Sequence, residues 1–239
     1  MPSIFQNKSL LPLLFFFILT GCSNTFVQIG GMLKESIVGF PDDNVTAAEI
    51  EKSPYASIHV RINNTHRSYI VLAYAEAPQT LPITRIDSKN IELKWLSADN
   101  GMLVTRNGRL LKSVNLFVGN RLNINSEQTD PVALGLHLSS TPMQWENTVD
   151  WQPGYHVSYQ QHSTFSFVSD ETLTINDKTV TLKKFNEHVV VANLDIEYDN
   201  QFWVDESTGN VIKSYQKIAP NLPYIEMTLL KPYGFEDVK

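Results

Sequence analysis

The side chains able to do chemistry are few and scattered. Six histidines occur, His59, His66, His137, His156, His162 and His188, and none stands in the HExxH spacing that turns two imidazoles on one helix face toward a metal. His59 and His188 fall on or beside alternating runs, where a solvent-facing or hydrogen-bonded core histidine is the simpler reading. His156 and His162 would meet only across a bend. The densest acids are Asp195, Glu197, Asp199, Asp205 and Glu206. Two carboxylates at a fixed separation would serve acid–base cleavage of a glycosidic bond. Here, however, Asp195, Glu197 and Asp199 alternate with Leu194, Ile196 and Tyr198, the pattern of the wet face of a half-buried strand. No G-x-S-x-G elbow and no phosphate-cradling glycine loop is present. The single cysteine, Cys22, permits neither an internal disulfide nor a multi-thiolate metal site. The expectation is a protein with no catalytic group, no metal and no cofactor.

What remains is aromatic. Trp145, Trp151, Tyr155 and Tyr159 are followed by Phe165 and Phe167, with Trp203 further on. Flat rings flanked by Gln144, Gln152, Gln160 and Gln161 can stack on sugar faces while the amides bond hydroxyls. The same rings would equally fill a large β core, since Tyr155 and Tyr159, and likewise Phe165 and Phe167, share a face at a period of two. Trp145, Trp151, Tyr155 and Trp203 are the ligand-binding candidates, and Trp151, just before Pro153-Gly154, is the one expected to be exposed.

Positioning these groups requires a folded body, and composition provides for one. The 239 residues are 42% hydrophobic, enough for a sizeable core, and 19 basic against 25 acidic side chains leave a net charge of −6. That balance argues against nucleic acid as a partner, which calls for clustered Lys and Arg. Thr46 and Glu49 form a capping box, with Val45 and Ile50 at staple spacing and Pro54 beyond, so a short helix is expected over residues 47 to 52. From Ser57 the period becomes two. Ile58, Val60 and Ile62 alternate with polar residues, Tyr69 to Glu76 and Ile91 to Trp95 follow, and Asn100-Gly101 and Asn107-Gly108 are hairpin turns leading into Met102 to Arg106 and Arg109 to Val114. Further strands are expected at 155–160, 164–168, 171–175, 178–182, 188–198, 201–204, 211–216 and 224–230. Residues 115 to 150 break the rhythm, apart from a short helix where Asp130 caps Pro131. The expected fold is all-β and mainly antiparallel: a curled sheet, half-barrel, barrel or sandwich of about a dozen strands with one or two short helices.

The N-terminus is of another kind. Lys8 precedes the apolar run Leu10 to Ile18, well short of the roughly 20 residues a membrane-spanning helix needs, and Leu19-Thr20-Gly21-Cys22 follows. This resembles the bacterial lipobox, in which a diacylglyceryl group alkylates the thiol, the chain is cut before the cysteine, and the new amine is acylated. Three acyl chains hold a protein to a bilayer essentially permanently, where one does so marginally. The organisation expected is a cleaved signal peptide, 1–21; a lipidated tether, 22–45; and a single β-rich domain, 46–239. Ser23 stands where an Asp would mark inner-membrane retention, so the sorting pattern implies the periplasmic face of the outer membrane.

Three segments resemble the YjbF and GfcB lipoproteins associated with group 4 capsule and exopolysaccharide gene clusters. They are Thr105-Arg106-Asn107-Gly108-Arg109-Leu110-Leu111-Lys112-Ser113-Val114, the run Asn200 to Gln216 with its Phe202-Trp203-Val204-Asp205-Glu206-Ser207-Thr208-Gly209-Asn210 core, and Leu229-Leu230-Lys231-Pro232. They stand in the family's order, behind the lipobox and Ser53-Pro54-Tyr55-Ala56-Ser57. The chain departs from the family pattern at Val114-Asn115-Leu116, where Gly-Leu is usual. The resemblance implies an outer-membrane lipoprotein that assists secretion or assembly of capsule or exopolysaccharide, with the glycan or partner export proteins as its ligands and no established enzymatic activity. Two other functions fit a curled sheet: a periplasmic carrier of an apolar ligand such as a lipid, which would need a large cavity lined by Leu, Ile and Phe, and a polysaccharide-modifying enzyme, which would need paired carboxylates in a cleft.

Overall fold

A computed structural model describes residues 43–63, 65–77 and 91–234. Cys22, the expected signal peptide (1–21) and nearly all of the expected tether (22–45) lie outside these residues. The chain divides into two units after Phe40, and the described residues all belong to the unit that begins at Pro41.

Helix α1 spans Ala47–Lys52 and carries the expected capping box, the Thr46 hydroxyl accepting from the Glu49 amide while the Glu49 carboxylate accepts from the Thr46 amide, with Ile50 buried. Twelve strands follow: β1 Ser57–Ile62, β2 Ser68–Glu76, β3 Glu92–Leu96, β4 Met102–Arg106, β5 Arg109–Val114, β6 Asn120–Asn125, β7 Gln144–Gln152, β8 His156–Ile175, β9 Lys178–Val191, β10 Ile196–Val204, β11 Val211–Lys217 and β12 Tyr224–Lys231. Helix α2, Pro131–Leu134, lies between β6 and β7, and Asp130 caps it by accepting from the Val132 amide.

All twelve belong to one antiparallel sheet in the order β5-β4-β3-β2-β1-β12-β11-β10-β9-β8-β7-β6. Its two end strands, β5 and β6, are consecutive in the chain and lie side by side, so the sheet curls into a nearly closed barrel. An exposed edge would leave unpaired amides and carbonyls. Side chains meet that demand at the seam: the guanidinium of Arg121 on β6 donates to the carbonyl oxygens of Leu110 (2.7 Å), Lys217 (2.8 Å) and Ile218 (2.6 Å), and the Arg121 amide donates to the Ser113 hydroxyl (2.9 Å). Burial works against the charge of this guanidinium and lowers its pKa from the usual value.

Alternation sends Trp145, Asn147, Val149 and Trp151 of β7, and Phe185, Glu187, Val189 and Val191 of β9, into the interior. One apolar cluster gathers Ile58, Val60, Ile70, Trp95, Leu103, Leu110, Val149, Trp151, Ile218 and Ile225; a second gathers Val132, Leu136, Trp145, Phe165, Phe185, Phe202 and Val204.

Three local features differ from the sequence expectation. The loop expected over 115–150 contains β6 and most of β7. The separate runs at 155–160, 164–168 and 171–175 merge into the 20-residue β8, and residues from 178 onward into β9. The run 188–198 is broken by a 3-10 turn at Ala192–Leu194, with Asp195 left-handed at φ 52° instead of on a strand face. At the departure from the family pattern, Asn115 takes φ 60°, the left-handed conformation a glycine would supply.

Candidate functional site

The turns after β4 and β10, the start of β1 and the end of β12 all fall at one end of the barrel. An open cavity of about 260 Å³ lies there. Its apolar wall comprises Ile58, Ile91, Leu93, Trp95, Met227 and Leu229, and its polar side Thr105, Asn107, Thr208, Asn210 and Ser214. The Asn107-Gly108 turn shapes one rim, with both residues at positive φ; a Cβ at position 108 would lie 2.5 Å from Cβ of Val211, so the β4–β5 and β10–β11 turns are in direct contact. The opposite turn is held by Asp205, whose carboxylate accepts from the Ser207 amide (2.8 Å) and hydroxyl (2.6 Å); the hydroxyl bond keeps its pKa below the usual carboxylate range. Thr105, Asn107 and Gly108 come from the first family-like segment, Thr208 to Ser214 from the second, and Leu229 and Pro232 from the third. All three segments meet at this one cavity.

A polar layer lies beneath it. Gln216 donates to the Gly108 carbonyl (2.7 Å) and to the Ser214 hydroxyl (2.9 Å), and accepts from the Leu110 amide (3.1 Å), which ties the cavity floor to β5. Arg109, next along, is buried between two carboxylates. It donates to both oxygens of Asp130 (2.7 and 3.0 Å) and to Glu187 (2.7 Å), whose Oε2 also accepts from Asn200 (2.7 Å). Its guanidinium stands 4.7 Å from the Trp145 ring and 5.0 Å from that of Phe202. Burial opposes the charge, but Asp130 and Glu187 outweigh it and hold the guanidinium's pKa above its ordinary value. Farther along the layer, Gln161 donates to the hydroxyl of Tyr198 (2.8 Å), and burial pushes the Tyr198 phenol up to about 12.

The aromatic candidates do not converge. Trp151, expected to be exposed, is 2% exposed: its ring lies in the core, stacked on His156 at 4.2 Å and against Tyr159 at 4.8 Å. The Pro153-Gly154 turn projects beyond it and leaves its inward face to β7's alternation. Trp145 is equally interior under Arg109. Trp203 points outward, but the β8–β9 hairpin covers it: its indole donates to Glu171 (2.7 Å) between Lys184 and Lys213. Tyr155 alone of the four is fully exposed, at the barrel end opposite the cavity.

Nor do the histidines assemble. His156 is occupied by Trp151, and His162 lies 3.4 Å from Glu146. His188 is flanked by Asp199 (3.0 Å) and Glu197 (3.7 Å), both of them outward-facing as alternation predicts. Among the described residues no group of three or more His, Cys, Asp or Glu could hold a metal.

Sequence reasoning missed Arg109, Arg121, Asp130 and Glu187 as a buried polar layer. Glu187 was detectable, since it occupies the inward phase set by Phe185, Val189 and Val191. Arg121 was not, because the apolar residues that alternate with it, Leu122 and Ile124, assign burial to the opposite face of its strand.

Comparison with known proteins bears on the same segments. The model of the family described as "Group 4 capsule polysaccharide lipoprotein gfcB, YjbF" matches residues 30–230. The chain belongs to this family. It is 33% identical over 226 residues to the protein named uncharacterized lipoprotein GfcB of Escherichia coli (strain K12), covering 94% of this chain and 99% of that one. It is 26% identical over 215 residues to uncharacterized lipoprotein YjbF of the same strain, covering 90% and 93%. The crystal structure of the hypothetical lipoprotein YmcC from Escherichia coli superposes with a TM-score of 0.67 at 31% identity, covering 90% of this chain and all of that one. The barrel is thus shared with that lipoprotein, and the span matched by the family takes in nearly all of the three segments that line the cavity.

Proposed function

We propose that this protein is an outer-membrane lipoprotein, acylated at Cys22, that assists secretion or assembly of a capsule-type polysaccharide by holding a short stretch of glycan in the cavity at the barrel mouth. The observation that carries this reading is the convergence of the three family-like segments on that cavity. One apolar wall faced by hydroxyls and amides suits a sugar unit, which offers an apolar face and a hydroxyl edge. Asp130 and Glu187, in the layer beneath, are both engaged by Arg109, which supports binding and not general acid–base chemistry. A lipid carrier is the second reading, favoured by the Ile and Leu of the wall. The interior below is filled by the Arg109 layer, so about 260 Å³ has no continuation for a long acyl chain.

The test is replacement of Leu229 by Trp to fill the cavity, alongside Cys22→Ser, with surface polysaccharide measured in cells. Both variants should lower it while Leu229→Trp protein accumulates and fractionates normally. Titration of the wild-type protein with polysaccharide fragments and with palmitate separates the two ligands. Undiminished surface polysaccharide in folded Leu229→Trp would end the glycan reading.

A further inference from the structure

The barrel end opposite the cavity is built from the turns between β1 and β2, β3 and β4, β5 and β6, β7 and β8, β9 and β10, and β11 and β12. Three of these turns, residues 115–119, 152–156 and 218–223, contain no Asp, Glu, Lys or Arg. They abut one another: a Cβ on Gly119 would lie 2.7 Å from the Gln152 carbonyl oxygen and 2.9 Å from both Pro153 and Leu222. From this uncharged platform Phe117 and Tyr155 project almost wholly into solvent, 84% and 101% exposed. Val157 beside Tyr155 is also exposed, and on the neighbouring strands Leu96 and Val114, both paired with Met102, continue the apolar surface. The other three turns at this end each carry one charge, Arg67, Asp99 or Asp195, and those at the cavity end carry Arg106, or Asp205 and Glu206.

The lipid side of the chain enters at the platform end. The Asp43 amide donates to the Arg67 carbonyl (2.9 Å) and its carboxylate accepts from the Tyr69 amide (2.7 Å), both in the stretch that leads from β1 into β2. Cys22 precedes Asp43 by 43 − 22 = 21 residues, which reach at most about 75 Å. The anchor can therefore hold this end against the bilayer without the chain passing the barrel. Phenyl and phenol rings on an uncharged surface are the side chains favoured at the headgroup boundary.

The geometry points to a bilayer-contacting face: Phe117 and Tyr155 bed into the interfacial layer of the membrane that holds Cys22, so that the cavity faces away from the lipid. This rests on acylation of Cys22, and the test separates the two. The acylated full chain, with its acylation verified by mass, is reconstituted in vesicles of phosphatidylethanolamine and phosphatidylglycerol (3:1). Acylation consumes the Cys22 thiol, so a nitroxide can be placed on Phe117→Cys or, at the cavity end, on Tyr74→Cys. Collision with an aqueous nickel chelate should fall at least about threefold at position 117 relative to the same protein in detergent, and stay unchanged at position 74. Equal access at both positions on verified acylated protein overturns the membrane face and leaves the anchor standing, whereas absence of the acyl mass overturns the anchor. Protection at position 117 in native envelopes but not in pure vesicles would assign the platform to a protein partner and refute the bilayer.

Discussion

Replacing Arg109 by Met tests the charged layer directly. The side chain is 3% exposed and its partner Glu187 1%. Without the guanidinium, Asp130 keeps partial solvent access and the Val132 amide, but Glu187 retains only the Asn200 amide among its described donors, deep in the barrel. A buried carboxylate stripped of its counter-charge costs about 3–5 kcal/mol, to be set against the roughly 5–15 kcal/mol that hold a typical domain together. Loss of the cation–π contacts with Trp145 and Phe202 acts in the same direction. At about 2–4 °C per kcal/mol for a domain of this size, the melting temperature should drop by roughly 6–20 °C. Urea titration followed by tryptophan fluorescence measures the free-energy loss, with Trp145 reporting from within the site. The double variant Arg109→Met/Glu187→Leu should recover at least about 1 kcal/mol, because no uncompensated charge remains. A loss under about 1 kcal/mol in the single variant, or a double variant no better than the single, would refute the assignment of this layer as a coupled buried ion pair.

Two further outcomes follow from the packing. Trp151→Ala removes a ring enclosed by His156 and Tyr159 and should destabilise by about 3–5 kcal/mol, seen in the same titration; a stability within error of wild type would put Trp151 back on the surface. Tyr198 is held neutral by burial, its pKa raised from 10 to about 12, so its contribution is complete below pH 10 and lost as pH climbs toward 12. Tyr198→Phe should flatten that alkaline loss in thermal melts between pH 9 and 12, and an unchanged slope would contradict the raised pKa.

Local order was legible wherever it rests on neighbours in the chain. The capping box of α1, the Asp130 cap of α2 and the turns at Asn100-Gly101 and Asn107-Gly108 depend on contacts within a few residues, and each forms where its residue types predict. The wet face of Glu197 and Asp199 follows from period two alone. β6 and β7 were not read as strands because Asn and Gln, poor strand formers, fill much of Asn120–Asn125 and Gln144–Gln152 and mask the alternation of Trp145, Val149 and Trp151. Period two assigns burial to Leu122 and Ile124, yet Arg121 is the buried one, because it reaches the carbonyls of Lys217 and Ile218, 96 and 97 residues away.

The sequence by itself determined an all-β body of about a dozen strands, a Leu19-Thr20-Gly21-Cys22 run that resembles a lipobox, and the three segments that mark the family, since periodicity, turn chemistry and motif order are properties of the linear chain. Which side chains meet was decided by closure of the sheet. Curling β5 against β6 buries Arg109 beside Glu187, withdraws Trp145 and Trp151 from solvent, and brings the three segments to one rim while leaving Phe117 and Tyr155 outside at the other. A pattern of period two assigns each residue to a face, but only the curvature and shear of the whole sheet decide what lies opposite it.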